Sequence, residues 1–244
     1  MSGHSKWSTI KRKKEKTDGQ RAKIFTKLGR EMAVAIKEGG PDPNNNGKLR
    51  EIIAKAKANN VPNDNIDRAI KKAAADSDKG DFFEITYEGY GLNGIAVMVE
   101  ALTDNRNRTA ADVRHYFDKY GSGLGQSGCV SFLFEQKGVL VIEDESLTEE
   151  KLMDNCLEVG AEDFSIGDGV AEITTTPEEF QAVRDGLIEK GYHFTSAEIE
   201  YVPSTTIRLT DEESVGKMQK LLELLEDNDD VQNVWHNWEL PDEE

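Results

Sequence analysis

Between residues 20 and 75 apolar side chains recur every three or four positions, the period of helices that bury one stripe. Phe25, Leu28, Met32 and Ile36 make the first stripe, with Lys23, Lys27, Arg30 and Lys37 on the opposite face. Gly39-Gly40-Pro41 ends that helix, because glycine accepts left-handed backbone and proline cannot continue a helical turn. A second helix is expected from about Gly47 to Asn59, with Leu49, Ile52, Ile53 and Ala56 inward. A third begins at Asn63 or Asp64, behind Pro62, and buries Ile66, Ala69, Ile70 and Ala73. Three short helices with one stripe each predict a small bundle.

The stretch 75–81 is polar and without period, and reads as a linker. Beyond it the pattern becomes mixed. Strands are expected at 82–88 and 94–103, then a helix at 109–120 opened by Thr109 with Asp112, a capping-box-like pair, then a strand at 130–135. A strand at 138–143, a helix at 149–159 stopped by Gly160, and strands at 161–166 and 170–175 follow. Gly167-Asp168-Gly169 is the hairpin signal between those two strands. A helix at 178–190 behind Pro177 and a strand at 193–201 complete a βαββαβ order. After Pro203 come a strand at 205–209, a helix at 211–227 and a strand at 231–238. Joined to the 94–103 strand, the helix after it and the 130–135 strand, they make a second βαββαβ set.

The fold class expected is therefore α+β. An N-terminal three-helix domain is followed by two ferredoxin-like βαββαβ domains, one inserted in the other. The expected domains are 1–79, 80–136 with 203–244, and 137–202, with crossings near Gln136 and Val202.

Charge changes the picture. The chain of 244 residues carries a net charge of −17, yet residues 1–79 hold 19 Lys+Arg against 10 Asp+Glu, a net of +9. Residues 80–244 hold 11 against 37, a net of −26. A basic end on an acidic body is the electrostatic footprint of a phosphate binder, with contact confined to one end. The candidate contacts are Lys6, Lys11, Arg12, Lys13 and Lys14 in the opening segment, with Lys23, Lys27 and Arg30 on the first helix. Trp7 either stacks on a nucleobase or anchors the arm by packing. Arg106 and Arg108 in DNRNRT stand just before a helix, where an anion is favoured. The alternative there is a structural loop in which Arg106 pairs with a local carboxylate.

GSGLGQSG at 121–128 lacks the Gly-Lys-Ser/Thr of a phosphate-binding P-loop and does not lead from strand to helix. Gly121, Gly123, Gly125 and Gln126 are read instead as a loop that reaches a partner or enters a narrow site. The four histidines, His4, His115, His193 and His236, have no paired spacing, and no GxSxG occurs. No catalytic residue, metal or cofactor is expected, although a hydrolase acting at the glycine-rich loop remains a distant alternative. Cys129 and Cys156 both sit in stretches that read as core, in neither a CxxC nor a CxxH spacing, which argues against zinc and against a disulfide framework. The opening residues are polar and basic, so no signal peptide is expected. The longest apolar run, 94–102, is too short to span a bilayer. A cytoplasmic, monomeric protein without membrane contact is the expectation.

Several segments together are similar to the YebC family. They are GHSKW (3–7), KIFTKLGRE (23–31), DPNNNGKLR (42–50), NNVPNDNIDRAI (59–70), YEGYG (87–91), DNRNRT (104–109), GAEDF (160–164) and VPST (202–205). The resemblance spans essentially the whole chain. It implies the same three-domain architecture and regulation of gene expression through nucleic acid. That family includes DNA-binding transcriptional regulators, a mitochondrial translational activator of cytochrome c oxidase, and bacterial proteins that assist translation at proline-rich stalls. Which nucleic acid is met here stays open on the resemblance alone. The residues lean toward ribosomal or transfer RNA, because no helix shows the exposed Asn, Gln and Arg face that reads base edges in a DNA groove.

Overall fold

The computed structural model describes residues 18–75 and 82–239, with side chains from Ala22 onward. The linker reading at 75–81 and the basic arm therefore fall largely outside the described residues. The described chain divides into two compact units, one built from 18–130 and Thr210–His236, the other from Ser131–Leu209 and 237–239.

The first unit opens with helices α1 (Asp18–Gly39), α2 (Gly47–Ala58) and α3 (Asn63–Ala75). Their common core is Leu28, Met32, Ala35 and Ile36 of α1, Leu49, Ile52 and Ala56 of α2, and Ile66 of α3. Leu28, Met32 and Ile36 of the expected stripe on α1 are in this core, and only its first position differs. Ile24 packs against this core, while Phe25 is only half-buried and is not part of it. Gly40 takes φ 83°, the left-handed conformation that ends α1. Asn46 joins α1 to α2: its carboxamide oxygen accepts from Leu49 N at 3.0 Å. Its Nδ2 donates to Ala35 O at 2.7 Å and Gly40 O at 2.8 Å.

Beyond 82 the unit forms a four-stranded sheet from β1 (Phe83–Tyr90), β2 (Ala96–Thr103), β3 (Gly123–Leu124) and, far along the chain, β9 (Val231–His236). The order is β3-β1-β2-β9, and every neighbouring pair is antiparallel. Helix α4 (Arg106–Tyr120) follows β2, and α7 (Glu212–Asp227) precedes β9. This is the strand order and direction of a ferredoxin-like sheet, but two slots are filled from elsewhere than expected: β3 at Gly123–Leu124 stands where the 130–135 strand was expected, and β1 takes the other. The neighbour of β2 is β1, which precedes it, and not a strand at 205–209. Only residues 91–95 separate β1 from β2, so their pairing closes a short loop, whereas the distant segment would close a very long one. Helix α4 also starts three residues before Thr109, capped by Asn105, whose side chain accepts from Arg108 N at 3.1 Å.

The second unit contains β4 (Phe134–Glu143), α5 (Glu149–Val159), β5 (Asp163–Gly167), β6 (Val170–Thr175), α6 (Phe180–Glu189) and β7 (Ser196–Pro203). Its order, β5-β6-β4-β7, places the first and third strands in the centre, as a ferredoxin-like βαββαβ requires. Leu140, Ile142, Ala171 and Ile173 of the sheet pack with Leu152, Cys156, Val183 and Leu187 of the helices. Asp168 and Gly169 make the two-residue turn with φ 51° and 73°, both left-handed, as the hairpin signal required. The strands expected at 130–135 and 138–143 are one strand, β4, preceded by a short 3-10 turn at Ser131–Leu133. Pairing of β4 with β7 runs out to Phe134 opposite Pro203, beyond the crossings expected near Gln136 and Val202. The 205–209 segment yields only the two-residue β8 (Ile207–Arg208), parallel to β10 (Trp238–Glu239). The expected 231–238 strand is thus split between two sheets at Asn237.

Candidate nucleic-acid interface

Six of the candidate contacts, Lys6, Trp7, Lys11, Arg12, Lys13 and Lys14, lie outside the described residues. The other five cations all lie in the first unit, and four of them are held by acidic or carbonyl oxygen atoms. Lys23 pairs with Asp227 at 3.0 Å, and Lys27 Nζ donates to Glu226 O at 2.6 Å, both at the C-terminal end of α7. A cation is favoured there by the helix dipole.

Arg30 and Arg108 converge on one carboxylate, Asp230, whose side chain is 4% exposed. Arg30 Nη1 donates to Asp230 Oδ1 at 2.5 Å and to Asp229 O at 2.6 Å. Arg108 donates to Oδ2 from Nη2 at 2.8 Å and from Nε at 3.2 Å. Thr109 Oγ1 adds a bond to Oδ2 at 2.7 Å, and Thr103 Oγ1 another at 3.3 Å. Burial alone would raise the Asp230 carboxyl, but the bonds from Thr109, Arg108 and Arg30 outweigh it and hold the group below the usual carboxylate range. Nothing in the sequence around residue 230 marked this hub, since an aspartate in DNDD reads as solvated surface. Three cations and five aspartates line the concavity of about 450 Å³ around it. That balance of charge makes it a structural joint between helix and sheet better than a phosphate seat.

Arg106 differs from its neighbours. Its guanidinium carbon lies 4.0 Å from the ring centroid of Phe83, a cation–π contact. The reading in which Arg106 pairs with a local carboxylate therefore passes to Arg108, which also bonds Asp104 at 2.9 Å.

The glycine-rich loop is tied to β1 at several points. Ser122 N donates to Tyr90 O at 2.8 Å, and Gly125 N to Glu88 O at 2.8 Å. The buried Glu88 carboxylate accepts from Gly128 N at 2.7 Å and Val130 N at 2.8 Å. A Cβ on Gly121 would stand 2.9 Å from Tyr90 O and 3.0 Å from Phe117 O, too close for any side chain. Gly123 and Gly128 take φ 113° and 88°, values that L side chains rarely adopt. Gln126 O accepts from Cys129 N at 3.1 Å within the same turn. The Cys129 thiol is pushed up by burial and by the charge of Glu88, and Cys156 is pushed up to about 11 by burial, so neither is a ready nucleophile. Among the described residues no group of His, Cys, Asp and Glu is placed to hold a metal, and no helix is long and apolar enough to cross a membrane.

Comparison with known proteins gives two family matches. Residues 5–76 match the TACO1/YebC protein N-terminal domain, and residues 82–238 match the TACO1/YebC second and third domain. A protein of Acetivibrio thermocellus named a probable transcriptional regulatory protein is 57% identical over 239 residues, covering 98% of this chain and 99% of its own length. One of Finegoldia magna with the same name is 56% identical over 239 residues, with 98% and 99% covered. The crystal structure of a conserved hypothetical protein from Aquifex aeolicus is similar at TM-score 0.82 and 48% identity, covering 93% of this chain and 94% of that one.

Proposed function

This chain belongs to the TACO1/YebC family, and on that footing we propose that it is a non-catalytic, nucleic-acid-binding regulator of gene expression. Its site of action in this reading is the ribosome, where it contacts ribosomal or transfer RNA as a cytoplasmic monomer. The observation that carries the reading is the partition of charge, +9 over residues 1–79 against −26 over the remainder. Clustered Lys and Arg release counterions from a nucleic-acid backbone, while the acidic body is repelled by it. Phosphate contacts position a protein without reading sequence, and a folded RNA offers shape and splayed bases to such a surface. The three modules at 1–79, 80–136 with 203–244, and 137–202 serve this reading as arm with bundle, body and insert.

A second reading, a DNA-binding transcriptional regulator, is favoured by the name that the relatives carry. Cross-linking the protein in cells and sequencing the bound RNA and DNA together separates the two. Enrichment of ribosomal or transfer RNA is expected. Discrete promoter sites, with ribosomal RNA at background, would replace the translational reading by the transcriptional one.

A further inference from the structure

Helix α4 carries its charge on two flanks. Arg108 and Asp112 point to one side, where Arg108 meets Asp230. Arg106, Ala110 and Arg114, spaced by four residues, run along the other. That second flank lies against β1. A Cβ on Gly89 would meet Phe117 of α4 at 2.7 Å, so Phe83, Ile85, Tyr87 and Gly89, which share a face of β1, face this helix. Arg106 lies over the Phe83 ring at 4.0 Å. Burial and the charge of Asp230 push the Tyr87 phenol up, and the charges of Arg106 and Arg114 act against them.

Three observations mark this strip. Lys23, Arg30, Arg108, Lys217 and Lys220 are each in an ion pair. Arg106 and Arg114 are exposed and, among the described residues, form none. Phe83 and Tyr87 are only half-buried, and the Tyr87 hydroxyl has no hydrogen-bond partner among the described residues. Finally, β3 pairs with β1 only at Gly89 and Tyr90, so the outer edge of 83–87 has no neighbouring strand among the described residues.

We propose that Phe83, Tyr87, Arg106 and Arg114 form a seat for single-stranded nucleic acid. One base stacks against Tyr87. Arg106, held over the Phe83 ring, and Arg114 donate to the backbone phosphates on either side. A duplex hides the π-faces that an aromatic platform needs, so the strand must be single or unstacked. An acidic peptide would use the two arginines but would leave the aromatic surface without a partner. The proposal rests on the nucleic-acid reading above and names a site for it in the acidic part of the chain, beyond residues 1–79.

The test is binding of the full chain to a fluorescein-labelled 12-nucleotide oligouridine and to a 12-base-pair duplex, read by anisotropy across a salt series. Arg106→Gln and Arg114→Gln change exposed side chains, and thermal melts of both should match the parent. Together they are expected to weaken oligouridine binding and to lower its salt slope by about 1.4, at about 0.7 per phosphate contact on a single strand. Tyr87→Leu keeps bulk but removes the ring and should weaken binding by about tenfold, whereas Tyr87→Phe should bind like the parent. Duplex binding should change little in all of them. Unchanged oligouridine binding in these variants, with the parent binding normally, overturns the seat and leaves the functional reading standing. A parent chain that binds neither oligonucleotide overturns both. Loss of binding to a polyglutamate peptide, with oligouridine binding intact, would reassign the strip to an acidic protein partner.

Discussion

Asp230 shows how much one side chain can hold. It is nearly buried and takes bonds from two arginines and two threonines that belong to α1, β2 and α4. Replacing it by asparagine keeps the shape but leaves two guanidinium groups facing a neutral amide. The expected loss is about 2 kcal/mol, below the ~3–5 kcal/mol of a fully buried pair because Arg108 is nearly half exposed. The carboxyl is held below its ordinary value, so its contribution is complete above about pH 4, the unfolded range, and is lost as pH falls through the lower folded value. Urea unfolding of parent and Asp230→Asn should differ most at pH 7, with the two converging in acid. A constant difference down to pH 2 would show that the charge is not what matters. Chemistry at this scale was the least legible in the sequence. The cations Lys23, Lys27 and Arg30 were visible as a basic face, but their partners lie about 200 residues away, and no periodicity within a helix reports on such a distance. Likewise, the glycines of 121–128 read as a flexible reach until the carbonyl oxygens of Tyr90 and Phe117 are seen standing where side chains would go.

Among the elements, the helices were legible because each carries its own punctuation. Gly160, Pro62 and the Asp168-Gly169 turn act within a few residues of where they stand. Strands were less so, since a strand is defined by its partner. The segment 205–209 has the residues of a strand but becomes two residues of parallel pairing with Trp238 and Glu239, because β1 already occupies the edge of β2. Asn46 is the clearest case of an element joint that pattern alone does not reveal. Its carboxamide caps α2 and ties down two carbonyl oxygens at the end of α1. Asn46→Asp keeps the cap acceptor but sets a negative charge against two carbonyl oxygens, so it should destabilise more than Asn46→Ser. The expected gap is about 1–3 kcal/mol, measured by thermal melting at neutral pH. Equal melting temperatures would mean that the two carbonyl bonds contribute nothing.

For the molecule as a whole, the governing quantity is the uneven distribution of charge. Replacing Lys11, Arg12, Lys13 and Lys14 by alanine removes four positive charges from the basic end. The slope of log affinity against log salt for a duplex should then fall by about 3 to 4, read by titration between 50 and 200 mM salt as working conditions of the assay. A slope equal to that of the parent would show that this segment does not touch phosphate. The general placement of charge and the α+β class could be read directly, because both survive any rearrangement of contacts. The topology of the discontinuous sheet could not, because it depends on which of several similar strands finds β2 first.

That sheet has a consequence for how the chain is made. Its central strand, β2, is complete by Thr103, but its second neighbour, β9, begins only at Val231. A polypeptide emerging from its N-terminus thus exposes one open edge of β2 while more than a hundred further residues are synthesised. The unit at Ser131–Leu209 lies between them and can reach its own sheet first, from contiguous sequence. Domains commonly fold as they emerge, and unpaired edges invite aggregation. The order of birth is therefore helices and hairpin, then the sheet of 134–203, then closure by β9. Loss of residues 231–236 would leave a nascent chain whose 134–203 sheet has all its strands and whose host sheet never closes.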